Sequence, residues 1–233
     1  MSIIKNDFEK MNITKIINYK NNKKLTMITA YDALFAKLFE EIADMILVGD
    51  SLNMSFAGKP DTLSATLEQM IYHTNAVCAG ASKAFVILDM PFGTYINENQ
   101  ALENAVKVYQ ETNAAAVKIE GGEDRADIIK HLTSNSVAVM GHIGLMPQYV
   151  RSEGGYKVRG KTQKDTEQLI QDAIAVEKAG AFAVVVEGVM SDAALKITQA
   201  INIPVIGIGA GNVTDGQVLV WSDMLGFFED FKP

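Results

Sequence analysis

Eight short apolar runs recur along this chain, each separated from the next by a stretch with mostly helical or turn patterning. They cover 24–31, 44–50, 84–90, 114–120, 136–143, 181–188, 203–210 and 216–223. The runs are near-continuous rather than alternating, the form expected of parallel strands covered on both faces. Eight β/α repeats in a chain of 233 residues leave few architectures, and the (β/α)8 barrel is the first of them. A doubly wound open sheet is the runner-up. It uses fewer strands and carries its phosphate loop after the first, where this chain has TAYDALF and no glycine-rich turn.

The helical stretches carry their own punctuation. Leu34, Leu38 and Ile42 form a four-residue stripe in 32–43, and Leu102, Ala105, Val106 and Tyr109 share a face in 97–113. Ser64 and Thr66, with Glu68 and Gln69 behind them, start a helix that carries Cys78. Helices are also expected over 124–135, over 165–180 with Gly180 as its stop, and over 191–202 with Ser191 as N-cap. The whole chain, 1–233, reads as a single barrel domain preceded by a short helical segment within 1–23. The segment 145–164 is a long polar connection after the fifth strand, read as a lid or substrate loop at the catalytic end.

Composition excludes several classes. A net charge of −7 argues against nucleic acid, which needs a concentrated basic face. The basic stretch Lys20–Lys24 is expected to be a solvated turn. No run reaches the roughly 18 apolar residues of a membrane span, and no secretory pattern is visible at the N-terminus. The single Cys78 reads as an inert packed thiol, which fits a reducing cytoplasmic setting.

Four carboxylates end four of the apolar runs: Asp50, Asp89, Glu120 and Glu187. Barrel active sites lie at the C-terminal ends of the strands. Lys118 and Glu120 share a strand face by parity, with Val117 and Ile119 turned the other way. Converging acids repel unless some take protons or a cation joins them, and Mg2+ suits an all-oxygen site with one or two carboxylates. Lys118 is a candidate neutralising partner or anion-binding group. Ser51 offers a hydroxyl beside Asp50, and His142 reads equally as a substrate contact or a structural residue. GIGAG at 207–211 lacks dinucleotide spacing and reads equally as a ligand loop or a tight turn. His73 and His131 fall in helices as surface or packing residues.

The ordered segments MITAYD, LVGDSLNM, DMPFGTY, VKIEGG, GHIGLMPQ, GGYKVRGKT, VVEGV and IPVIGIGAGNVTDGQVLVW resemble the successive signatures of the ketopantoate (3-methyl-2-oxobutanoate) hydroxymethyltransferase family. The resemblance implies a TIM barrel of the phosphoenolpyruvate/pyruvate type. It implies one-carbon transfer from the co-substrate 5,10-methylenetetrahydrofolate to 3-methyl-2-oxobutanoate, through a Mg-stabilised enolate, to give 2-dehydropantoate for pantothenate biosynthesis. Carried over by motif, it implies one Mg2+ per subunit on Asp50, Asp89 and Glu120, the last directly or through water. Asp50, Ser51, Asp89 and Lys118 would contact the 2-oxo acid, and Glu187 would accept the proton. His142 joins the expected substrate contacts from its strand-end position, not from the resemblance. It also implies a cytoplasmic homo-oligomer, a decamer in the family.

Two departures from the family pattern stand out. Ser222 occupies a position where the family often has His. The sequence also stops soon after the eighth strand, so the eighth helix is expected to be truncated, with Phe227, Phe228 and Phe231 as substitute cover or subunit contacts. Two other functions compete: a Mg-dependent 2-oxo acid lyase or mutase of the same superfamily, disfavoured by the lack of a K-K-C-G-type cysteine motif, and a catalytically silent barrel serving as a binding subunit.

Overall fold

The structure is a computed structural model that describes residues 10–227. Eight parallel strands close on themselves in sequence order. They are β1 (Leu25–Thr29), β2 (Met45–Val48), β3 (Phe85–Asp89), β4 (Ala116–Glu120), β5 (Val139–Gly144), β6 (Ala183–Glu187), β7 (Val205–Ile208) and β8 (Gly216–Leu219). The final pairing of β8 with β1, with Leu25 opposite Gly216, leaves no open sheet edge. The (β/α)8 expectation is met, with each strand shorter than its apolar run. At the last run the sequence overreaches: Trp221–Met224 is a short helix, not strand.

The helices are α1 (Ile13–Asn18), α2 (Ala33–Phe39), α3 (Leu52–Ser55), α4 (Leu67–Gly80), α5 (Glu98–Glu111), α6 (Ala126–Ser134), α7 (Gln163–Lys178), α8 (Ser191–Ala200) and α9 (Trp221–Met224). The start of α4 follows its sequence signature. Thr66 and Gln69 exchange hydrogen bonds in a capping box, which satisfies two otherwise unpaired N–H groups. The cap of α8 is different from the one expected: Met190 is the N-cap and Ser191 is already inside the helix. No helix separates β7 from β8.

Two apolar cores follow from strand parity. Met27, Met45, Leu47, Phe85, Ile87, Met140, Val185 and Ile206 point inward and fill the barrel. Ile28, Ile46, Val86, Leu88, Val117, Ile119, Val139 and Val184 point outward and pack against the helices. Ile16 of α1 joins the inner set, so the N-terminal helix plugs the bottom of the barrel. Among the described residues, α1 closes the barrel interior from below.

Three surface expectations need correcting. Leu34, Leu38 and Ile42 are 82%, 63% and 65% exposed, because α2 docks through Ala36 and Phe39 instead. Leu34 and Leu38 lie on the outer face of α2, and Ile42 falls in the turn after the helix ends at Phe39. On α5 the buried residues are Ala101, Ala105 and Val108, while Val106 is exposed. Lys20 is not solvated. Its ammonium is buried 2.7 Å from Asp215 Oδ2 and donates to the Thr198 carbonyl.

Asp215 Oδ2 also accepts from the Val205 N–H at 2.9 Å. Asp215→Ala would strand a buried ammonium and a strand N–H together. The expected cost is about 3–5 kcal/mol, read as the shift in a denaturant titration. A loss below about 1 kcal/mol would show the pair to be dispensable.

Beyond β8, Trp221 stacks on Phe35 with ring centroids 4.5 Å apart and meets Phe227 at 5.3 Å. Phe227 is itself 64% exposed and meets Trp221, not the strands, so the expected cover from it is at most indirect. Phe228 and Phe231 lie outside the described residues.

Candidate active site

A cavity of about 490 Å3 opens at the C-terminal ends of the strands. Asp50, Ser51, Asp89, Lys118, Glu120, His142 and Glu187, the residues expected to bind metal or substrate or to take the proton, all line it. Asp89, Glu120 and Glu187 are the last residues of β3, β4 and β6. Asp50 lies two residues past the end of β2, in the turn leading to α3.

Lys118 sits among the acids. Its Nζ is 2.8 Å from Asp89 Oδ1, 3.9 Å from Glu120 Oε1 and 3.1 Å from His142 Nδ1. The register explains this grouping, since Asp89 pairs with Lys118 across β3 and β4, and Glu120 pairs with His142 across β4 and β5. Burial opposes the lysine charge, but Asp89, Glu120 and Asp50 together hold its pKa above the ordinary value.

One ammonium does not offset three buried acids. Burial, then the charges of Asp89 and Glu120, push the Asp50 carboxyl well above the usual carboxylate range. Burial raises Asp89 as well, against the pull of Lys118. Glu120 moves the other way. Burial acts against its charge; a protonated His142, by hydrogen bond and charge, and then Lys118 and the Gln148 N–H outweigh it, and with a neutral ring the pull comes from Lys118 and the N–H.

His142 links this cluster to Glu187. Its Nδ1 is 3.5 Å from Glu120 Oε1, and its Nε2 is 3.4 Å from Glu187 Oε2. Burial and Lys118 oppose a second proton on the ring, but the two glutamates prevail and raise its pKa to about 9. The contact distances favour a different state. Lys118 Nζ is nearer to Nδ1 than Glu120 is, which makes Nδ1 an acceptor and places the ring proton on Nε2, toward Glu187. We favour this neutral tautomer, because any further cation at the acids would oppose a second ring proton.

Glu187 stands apart from the other acids. Its side chain is 25% exposed, and β6 faces β2 across the eight-stranded barrel. Asp223, which the sequence reading passed over, also lines the cavity. Its carboxyl is raised by burial and then by the charge of Glu187.

Gln148 was likewise missed. It lies in the single-turn helix Pro147–Tyr149 after β5 and bonds to both Asp50 and Glu120. A neutral amide in a loop gives no sequence signal, and only the bonds reveal it.

The remaining candidates find their places. The Ser51 hydroxyl hydrogen-bonds Tyr31 Oη at 2.9 Å. Within GIGAG only Ile208 lines the cavity, and Gly209 and Gly211 take positive φ, so the segment serves as a tight turn. Ser222 is buried with no partner for its hydroxyl among the described residues. The segment 145–164 does reach the catalytic end, where Leu145, Pro147 and Tyr156 line the cavity. Its far end is tied down, with Arg159 N–H donating to the Gly188 carbonyl at 2.8 Å. Burial raises the Cys78 thiol to about 11, which keeps it protonated and inert.

A divalent cation passes a test of fit, with one restriction. Among the described residues no group of three or more His, Cys, Asp or Glu side chains is arranged to hold a metal ion. Three direct carboxylate ligands are therefore not preassembled. The excess of buried acid over buried base, with Asp50 driven toward its neutral form, is still the condition that a cation relieves. Mg2+ commonly uses one or two carboxylates, with water and substrate oxygens completing its shell. The all-oxygen donor set fits it.

The fold and site place this chain in a class. Solved structures that share the closed barrel include a lyase/mutase of Burkholderia cenocepacia J2315 (TM-score 0.71, 15% identity, covering 97% of this chain and 87% of that one). Another is 2,3-dimethylmalate lyase, of the PEP mutase/isocitrate lyase superfamily (TM-score 0.66, 14% identity, covering 92% and 83%). At these identities the likeness is one of fold, so the class is the barrel itself. Sequence carries the assignment further. The family profile described as ketopantoate hydroxymethyltransferase matches residues 10–233, and the chain belongs to that family. It is 85% identical to the 3-methyl-2-oxobutanoate hydroxymethyltransferase of Aliarcobacter butzleri (strain RM4018), over all of this chain and 87% of that protein. It is 54% identical to the enzyme of that name from Helicobacter pylori (strain ATCC 700392 / 26695), over all of this chain and 86% of the relative. The chain is thus a hydroxymethyltransferase, and among its described residues no helix is long and apolar enough to cross a membrane.

Proposed function

We propose that the cavity transfers a hydroxymethyl unit from 5,10-methylenetetrahydrofolate to 3-methyl-2-oxobutanoate, giving 2-dehydropantoate on the route to pantothenate. The observation that carries this is the division of the cavity. Asp50, Asp89, Lys118 and Glu120 form a buried charged floor, and Glu187 stands beyond His142 on the opposite wall. The names of close relatives support the substrate.

Asp50 and Asp89 would hold Mg2+ directly, with Glu120 in contact through water, consistent with the lack of a three-carboxylate cage. A divalent ion bound there would polarise the keto group of a 2-oxo acid and offset the negative charge that builds during deprotonation. Lys118 supplies the counter-charge to the substrate carboxylate, and Ser51 donates its hydroxyl nearby. Glu187 takes the proton from C3, with His142 Nε2 lying 3.4 Å from its Oε2 and within reach of a hydrogen bond on a small shift. The electron pair released at C3 forms the new bond to the folate methylene carbon. Both carbon–nitrogen bonds that hold the methylene break, one as C3 attacks and one as water supplies the hydroxyl oxygen. The C3 proton and one water proton end on the two nitrogens, and tetrahydrofolate leaves.

The test is a product assay on this chain with 3-methyl-2-oxobutanoate and 5,10-methylenetetrahydrofolate. Formation of 2-dehydropantoate is expected, with loss on treatment with a chelator and recovery with added Mg2+. Carbon–carbon cleavage of a 2-methylisocitrate-like acid without folate would point to a lyase instead. Failure to bind both Mg2+ and the 2-oxo acid in calorimetry would mark a silent barrel.

A further inference from the structure

Gln148 is polar, only 4% exposed, and touches two of the three floor acids at once. Its main-chain N–H donates to Glu120 Oε2 at 3.0 Å. Its side-chain Nε2 donates to Asp50 Oδ2 at 2.8 Å and to the Met90 carbonyl at 2.9 Å. Its Oε1 accepts from the Tyr95 hydroxyl. Both amide hydrogens therefore have acceptors. The bonds also fix which end of the amide is which, because a carboxylate and a carbonyl both demand the NH2 end.

The backbone is held for this purpose. Gly144, at the end of β5, has φ of +99°, and a Cβ there would lie 2.3 Å from the Glu187 carbonyl oxygen. The chain can therefore pass close to β6, where Leu145 N–H donates to that same carbonyl at 2.8 Å. Pro147 then opens the single-turn helix that turns the Gln148 N–H toward Glu120.

The chemistry of the amide matters as much as its position. A lysine here would orient Asp50 but cancel the charge that draws a cation. A glutamate would add a fourth acid and could not donate twice. A neutral double donor fixes one oxygen of Asp50 and leaves the carboxylate negative, as groups behind metal ligands do. We propose that Gln148, braced by Tyr95, is a positioning residue that aims Asp50 and Glu120 and so sets the affinity of the site for a divalent cation. This rests on the reading of those acids as a cation site.

The test titrates Mn2+ as probe against the intact protein and its variants, followed by electron paramagnetic resonance, with thermal unfolding of the metal-free proteins alongside. Gln148→Met keeps the bulk and removes the side-chain donors to Asp50 and Met90, leaving the main-chain bond to Glu120 in place. It is expected to raise the Mn2+ Kd about 10- to 100-fold. Tyr95→Phe removes only the brace and is expected to shift Kd the same way by about 3- to 10-fold, a smaller part of the range seen for such groups. In steady-state assays the concentration of metal needed for half-activity should rise by a larger factor than kcat falls. A purely structural role would lower the unfolding temperature of the metal-free variants and leave Kd alone. If the parent chain binds Mn2+ and both variants bind it within twofold of the parent, the proposal is overturned while the cation site stands. If Gln148→Met does not fold, an unchanged Kd in Tyr95→Phe overturns it alone. If the parent binds no Mn2+ with 3-methyl-2-oxobutanoate present, the cation site and the proposal fall together.

Discussion

Glu187→Gln is expected to slow exchange of the C3 proton of 3-methyl-2-oxobutanoate by about 10²- to 10⁴-fold, the usual worth of a positioned general base. The substitution is nearly isosteric. Its amide oxygen can still face the His142 Nε2 proton, now 3.4 Å from Glu187 Oε2, so the wall of the cavity should keep its shape. The floor acids and Lys118 are untouched, and affinity for the 2-oxo acid should change little. Exchange into deuterated water, followed by proton NMR without folate, isolates this step from methylene transfer. Exchange at the parental rate would remove Glu187 from the role. Asp223 is the alternative on that wall, since it lines the cavity and feels the charge of Glu187. Normal exchange in Glu187→Gln with lost exchange in Asp223→Asn would transfer the role to Asp223.

Much of this arrangement was legible because strand parity is a strict period. Val117 and Ile119 were expected to face outward, and they lie in the shell beneath the helices, while Lys118 and Glu120 line the cavity. Asp89, Glu120 and Glu187 could be placed at a common level because each terminates an apolar run. Helix starts were legible only where a side chain can act in one way. Thr66 with Gln69 makes a reciprocal box, but Ser191 was displaced as cap by Met190, which caps with its non-helical backbone and no side-chain bond.

The missed features depend on distant partners. Leu34, Leu38 and Ile42 have the spacing of a buried face, yet the neighbouring layer meets α2 at Ala36 and Phe39. Lys20 looks like part of a basic turn until the fold brings Asp215 to 2.7 Å. Gln148 and Asp50 are 98 positions apart and meet only because β2, β4 and β5 end at one rim. Periodicity reports which way a side chain points. It does not report which neutral group will be waiting there.

Lys118→Met would separate two duties that the proposed reaction gives to one ammonium. In the metal-free protein Lys118 lies 2.8 Å from Asp89 and balances part of the acid floor. Removing its charge leaves a buried carboxylate without a cation, an expected loss of about 3–5 kcal/mol in stability. In the proposed reaction Lys118 would be the counter-charge to the carboxylate of a bound 2-oxo acid. Losing a buried charge partner typically costs about 2–5 kcal/mol, or roughly 30- to 5,000-fold in kcat/KM. Toward a divalent ion, however, the ammonium is a like charge competing for the same acids. Mg2+ affinity should therefore hold or rise in the variant while catalysis collapses. Added Mg2+ should also raise the unfolding temperature of Lys118→Met by more than it raises that of the parent, because the ion replaces the missing positive charge. Unfolding curves with and without Mg2+ read this directly. A smaller Mg2+ stabilisation in the variant than in the parent would mean that Lys118 helps to build the cation site instead of sharing its acids.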